Sequence, residues 1–176
     1  CPSGGGTVLG AYYFETGWDS WVDGGDDALR YQGNRSYEGN YSIALRDNSL
    51  AISSMTSPVY NGLNYLSMSV KFNFYAYSME SGEDFWLQYS SNGGSSWTTV
   101  GSYVNGTNFN NNTFYESTVV LNSSSTTFTN NIKFRFVCDA STNTDLVYID
   151  AVIIKGFTTS NLEEGNEMAA LAELSE

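Results

Sequence analysis

The chain has 176 residues, 41% hydrophobic, 15% aromatic and 15% charged, a composition that can bury a core and that excludes disorder of the bulk. It contains no histidine, which removes the commonest general base, the histidine-assisted serine and cysteine nucleophiles, and histidine zinc sites. Nineteen acidic against seven basic residues leave a net charge of −12, so neither nucleic acid nor an anionic membrane surface is an expected partner.

In chain order, residues 1–11 read as a lead-in, 12–157 as one β-domain, and 158–176 as an acidic linker. Leu66 to Ala76 places apolar residues on every second position, the period of a half-buried strand. Phe85–Tyr89 and Ser96–Val100 flank Ser91-Asn92-Gly93-Gly94-Ser95, a turn sequence that predicts a hairpin. Ile132 to Asp139 alternates again, and Leu146 to Ile154 supplies a last strand. Many short strands at spacings of roughly ten residues, without intervening helices, predict an all-β, two-sheet antiparallel jelly-roll sandwich. The tail after residue 162 holds five of the nineteen acids and no base, and its run of helix formers is short for an isolated helix. Scarce lysine with abundant Ser, Thr, Asn, Gly and Tyr is the texture of an extracellular β-protein. With no basic-then-apolar signal and no long apolar span, the sequence reads as an excised piece of a secreted, multidomain chain. Cys138 lies in an apolar run and is expected as a small buried hydrophobe.

Three segments carry a resemblance: Phe14-Glu15-Thr16-Gly17-Trp18, then Gly39-Asn40-Tyr41-Ser42-Ile43-Ala44-Leu45, and Tyr148-Ile149-Asp150-Ala151-Val152. Together they resemble the calcium-containing jelly-roll carbohydrate-binding modules of families 4, 9, 16 and 22. Asp84 to Val100 and Phe134 to Ile154 are also similar to MAM-like or cleaved-adhesin-like segments of secreted bacterial proteins. The resemblance implies a structural Ca²⁺ held by the carboxylates of Glu15 and Asp150 and the main-chain carbonyls of Tyr13, Tyr37 and Asn40, an oxygen set suited to that ion. Where the family has a serine before the glycine, this chain has Glu38.

Sugar rings stack their C–H faces on aromatic rings, while their hydroxyls bond to amides and charged groups. Strand parity places Lys71, Asn73 and Tyr75 opposite the core-facing Phe72 and Phe74; it does the same for Trp86 and Gln88, and for Lys133 and Arg135. If these strands share a sheet, one face collects Lys71, Asn73, Tyr75, Trp86, Gln88, Lys133 and Arg135, a surface suited to a sulfated or uronic polysaccharide. The alternative is a loop-end site of Trp18, Trp21 and Tyr31, while Trp97 is expected in the core. Glu80, Glu83 and Asp84 fall in a polar turn and do not form a glycosidase pair. The expected function is a non-catalytic carbohydrate-binding module that tethers a secreted polysaccharide-degrading enzyme to its substrate. The alternative is a protein-interaction or adhesion module.

Overall fold

The computed structural model describes residues 5–47 and 49–158. Strands follow one another along this stretch: β1 (Thr7–Tyr12), β2 (Val22–Asp23), β3 (Ala28–Gln32), β4 (Tyr41–Arg46), β5 (Ser54–Thr56), β6 (Ser67–Tyr77), β7 (Asp84–Ser90), β8 (Thr98–Val104), β9 (Phe114–Asn122), β10 (Lys133–Asp139) and β11 (Leu146–Phe157). They form two sheets. Sheet A runs β3-β4-β11-β6-β9 with β1 also on β11, and sheet B runs β2-β5-β10-β7-β8. Every pairing between these strands is antiparallel, which gives the two-sheet sandwich expected from the sequence.

Alternation explains the packing. Along β6, Met68, Val70, Phe72, Phe74 and Ala76 are buried in the core, and β10 contributes Phe134, Phe136 and Cys138 from the facing sheet. The layers interlock through rings: Phe72 meets Phe136 edge-on at 4.7 Å, and Phe74 meets Phe85 at 4.9 Å. Each fully buried phenylalanine of this set contributes roughly 1.5–3 kcal/mol through removal of apolar surface from water. Cys138 lies in the same core, and burial pushes its thiol well above the ordinary range.

Two departures from the sequence reading matter. Strand β1 falls within the expected lead-in, so the sandwich takes in residues 7–11. Thr7–Tyr12 hides this because its exposure shows little contrast between faces. The predicted hairpin is present, but its second arm is Thr98–Val104 and its turn is correspondingly longer. The expected linker lies, from residue 159, outside the described residues.

A change of partner along β11 shapes the middle of sheet A. The first half of β11 (Leu146–Ile149) pairs with β4, and its second half (Val152–Gly156) pairs with β1 on the same edge. At the handover the register against β6 shifts between Asp150 and Ile153, and Ala151 takes a left-handed φ of 48°. Such a bulge bends the strand and re-aims a side chain. Asp150 is the residue it re-aims.

Candidate functional site

The face of sheet A turned away from sheet B carries a row of aromatic rings. Tyr148 on β11, Tyr75 on β6 and Phe114 on β9 sit directly opposite one another in register. Their rings line up accordingly: Tyr148–Tyr75 centroids are 6.3 Å apart and Tyr75–Phe114 4.9 Å. Tyr31 extends the row at one end, 4.7 Å from Tyr148, and Tyr37 at the other, 5.8 Å from Phe114. Cross-strand placement is what makes the row, because residues of like parity on neighbouring strands share a face.

Arg35 and Tyr37 reach this face from the β3–β4 loop. The Arg35 guanidinium lies 3.6 Å from the Tyr77 ring centroid and donates from Nη1 to the Tyr148 hydroxyl at 2.5 Å. Burial raises the Tyr148 phenol pKa, against the opposing bond and charge of Arg35. Tyr148 is thereby held as a neutral floor. Tyr37 is about half exposed, Tyr77 and Phe114 each about 38%, so three rings stand at the solvent side of buried Tyr148 and half-buried Tyr31 and Tyr75.

The same loop is pinned from below by two carboxylates. Asp150 Oδ2 accepts the Tyr37 and Glu38 amides at 2.8 and 2.9 Å, while Oδ1 accepts from Ala151. Glu15 Oε1 accepts the Asn40 and Tyr41 amides, both at 2.9 Å. Gly39 lies between these anchors with φ of 65°, and a Cβ there would run into the Glu15 carboxylate. Arg30 fixes the start of the segment, donating to the carbonyls of Phe14 at 2.7 Å and Glu15 at 2.6 Å. Asp150 is almost fully buried, and its pKa is pushed up to about 6, chiefly by burial, with the negative charge of Glu15 adding to it against the three amide bonds.

The seven residues expected on one face are divided between two. Strand β6 belongs to sheet A, whereas β7 and β10 belong to sheet B. Lys71, Asn73 and Tyr75 therefore lie on the outer face of sheet A, and Trp86, Gln88, Lys133 and Arg135 on the outer face of sheet B. Parity gives the alternation along each strand but does not say which strands pair, and Asn73 is buried rather than open to a ligand. Lys71 is moreover paired with Glu116 at 2.8 Å.

The loop-end trio is likewise not brought together. Trp21 is core, stacked on Phe136 at 5.9 Å; Trp18 packs half-buried against that core; Tyr31 belongs to the sheet A row. Trp97, expected inside, is half-buried, with the Arg135 guanidinium 4.5 Å from its ring. Arg35, Tyr77, Phe114 and Tyr148 were not selected from the sequence, and Tyr37 was selected only for its carbonyl. The parity of β11 marked Tyr148, and that of β6 marked Tyr77.

No family model and no curated sequence matches the chain. Solved structures match its fold. The tandem of a family 22 carbohydrate-binding module and a catalytic module from a Clostridium thermocellum xylanase aligns with a TM-score of 0.64 at 14% identity, covering 88% of this chain and 29% of that one. The present chain thus spans less than a third of that protein. A xylan-binding family 22 domain from Paenibacillus barcinonensis aligns at 0.61 and 9% identity over 89% of this chain and 99% of that one. A cleaved adhesin domain of Lys-gingipain aligns at 0.59 and 16% identity, covering 83% and 98% of the two. At such identities the likeness is one of fold: the domain is a jelly-roll sandwich of the kind shared by carbohydrate-binding modules and cleaved adhesin domains.

Proposed function

We propose that the domain is a non-catalytic carbohydrate-binding module that takes a neutral polysaccharide across the outer face of sheet A. The observation that carries this reading is the continuous ring row Tyr31–Tyr148–Tyr75–Phe114–Tyr37. Buried Tyr148 with half-buried Tyr31 and Tyr75 forms its base, and exposed Phe114 and Tyr37 offer faces for sugar stacking. Tyr77 and Arg35 stand beside them. Beside the ring row the face offers little free charge: Lys71 is paired with Glu116, the Arg35 guanidinium rests on phenol rings, and Lys155 lies further along β11, level with Ser69. An uncharged chain of sugars suits it better than the sulfated or uronic polymer expected when all the bases were placed together. Fold neighbours described as xylan-binding, or solved with β-1,4-galactotriose, support this class of ligand.

A structural Ca²⁺ belongs to the same reading. Glu15 and Asp150 converge on one loop, both are hard oxygen donors, and burial, with a smaller contribution from the Glu15 charge, raises the Asp150 pKa, a cost that a bound cation would offset. These residues fit the ion. No group of three or more acidic, histidine or cysteine side chains placed to hold a metal ion occurs among the described residues, so main-chain carbonyls such as those of Tyr13 and Tyr37 would complete the shell. The Asn40 carbonyl already accepts from Gly33 at 2.9 Å. Bound there, the ion would supply no chemistry and would fasten the loop that presents Arg35 and Tyr37.

The wider assignment is to a secreted, multidomain protein in which the module raises the local concentration of a catalytic partner on its substrate. The likeness to cleaved adhesin domains sustains a second reading, an adhesion module. Affinity electrophoresis of the intact chain in gels containing neutral or acidic polysaccharides separates the two. Retardation by a neutral glycan, insensitive to salt, supports the first reading; absence of retardation by any glycan favours the second.

A further inference from the structure

We infer that the outer face of sheet B holds a second ligand site, built for the acidic group of a uronic or sulfated sugar. A hollow of about 290 Å³ opens there, walled by Val22 and Asp23 on one side and by Gly94 and Trp97 of the β7–β8 hairpin on the other, with Lys133 and Arg135 of β10 along it. Its volume lies just below the roughly 300–1,000 Å³ typical of small-molecule sites, which suits one sugar unit of a chain. The site is separate from the sheet A row, because β10 and the strands bearing that row lie in opposite layers.

Charge gives the hollow its chemistry. The chain has only seven cationic side chains, and most are committed elsewhere: Lys71 to Glu116, Arg46 to Asp27, Arg30 to two carbonyls, Arg35 to Tyr148. Lys133 and Arg135 make no ion pair with any described residue. Arg135 is half-buried, and burial lowers its pKa, a sign that its charge has lost water without gaining a counter-ion. Its Nε and Nη2 both donate to Gln88 Oε1, at 3.0 and 2.6 Å, and the guanidinium rests on Trp97. These contacts fix its plane and leave further N–H donors for a ligand, the preorganised fork that recognises a carboxylate or sulfate.

The hairpin exists in the form that permits this. Gly93 and Gly94 have φ of 72° and 98°, and a Cβ on Gly94 would meet Trp97 at 3.2 Å. The missing side chain of Gly94 lets Trp97 lie beneath the turn, against Arg135, while that of Gly93 makes room for Asn131. Asp23 on the opposite wall bonds the Gly25 amide through Oδ1. One acid facing two bases leaves net positive charge for an anion and an acceptor for sugar hydroxyls, a combination that selects an acidic sugar over a bare inorganic anion.

The test is equilibrium binding of the intact chain to an oligogalacturonate, a sulfated oligosaccharide and a neutral xylo-oligosaccharide, at low and high salt. An acidic probe binds and is released by salt, and the Lys133→Gln/Arg135→Gln double variant weakens it about 10-fold or more, while Tyr77→Ala leaves it unchanged. The carboxylate and sulfate arms decide which anion is preferred. Should the double variant unfold, Lys133→Gln and Arg135→Lys singly weaken acidic binding about 3-fold or more with an unchanged melting temperature. No acidic binding at millimolar probe, binding that survives loss of both bases, or loss through Tyr77→Ala overturns the proposal. Failure of the neutral probe alone instead removes the sheet A reading and leaves this site standing.

Discussion

Arg35 Nη1 donates to the hydroxyl of Tyr148 at 2.5 Å across 113 positions of sequence, and the same guanidinium lies 3.6 Å from the Tyr77 ring centroid. One side chain thus ties the β3–β4 loop to two strands of sheet A and sets the spacing of the rings. Arg35→Ala is expected to weaken neutral-glycan binding about 10-fold, since a charge-assisted bond and a cation–π contact are each worth roughly 1–2 kcal/mol. Arg35→Lys restores only part, because an ammonium cannot lie flat between the rings and donate in plane. Calorimetric titration of both variants against one oligosaccharide measures this.

Truncating the exposed rings separates binding from folding. Tyr37→Ala and Phe114→Ala each remove a solvent-side ring of the row and are expected to reduce neutral-glycan affinity by about 10–30-fold, as loss of an aromatic anchor does. Their melting temperatures stay near that of the unmodified chain. Trp21→Ala behaves oppositely: the buried ring stacks on Phe136, and its loss destabilises the fold by about 3–5 kcal/mol. Paired thermal unfolding and affinity electrophoresis give both quantities.

Calcium is expected to stabilise the module through Glu15 and Asp150. A hundredfold excess over the dissociation constant gives about 2.7 kcal/mol, which for a chain of this size raises the melting temperature by about 5–10 °C. Asp150→Ala abolishes the increment. It also strips three amides of their acceptor and so lowers stability without calcium as well. Differential scanning calorimetry in calcium and in chelator reads both effects; equal melting temperatures for the unmodified chain in the two buffers count against the ion.

The tyrosines give a pH signature. Burial pushes the Tyr89 phenol up to about 12 while its hydroxyl donates to the Thr127 carbonyl, and an unfolded tyrosine titrates near 10. The folded state therefore holds the proton longer than the unfolded one. Its stabilising contribution is complete below about pH 10 and is lost as pH rises through about 12, amounting to roughly 2–3 kcal/mol. Urea unfolding between pH 9 and 12 shows a falling midpoint, and Tyr89→Phe flattens part of that slope.

Local alternation made much of the architecture legible. The period-two runs of β6, β7 and β10 place Phe72, Phe85 and Phe136 inward from sequence alone, because side-chain direction along a strand is set by parity. Strand partnership is not local. The pairing of β6 with β9 and β11, and of β7 with β10, decides that Tyr75 and Arg135 lie on opposite faces. Trp21 sits just before a two-residue strand, too short to show a period. Arg35 is not legible in the sequence for a related reason: its role arises from the β3–β4 loop folding onto distant strands, and no local spacing encodes its contacts with Tyr148 and Tyr77. Glu15 and Asp150 stood out through their motif context, and the structure brings both onto one loop by amide bonds.

The most direct test of the central claim is a heteronuclear NMR titration of the intact chain with a neutral β-1,4-linked oligosaccharide, following backbone amides and aromatic side chains. Shifts are predicted to concentrate on Tyr31, Tyr37, Tyr75, Tyr77, Phe114 and Tyr148, with Gln88, Trp97 and Arg135 unmoved. Shifts confined to sheet B or to the Trp18 loop, or none at millimolar ligand, would contradict a sugar site on sheet A.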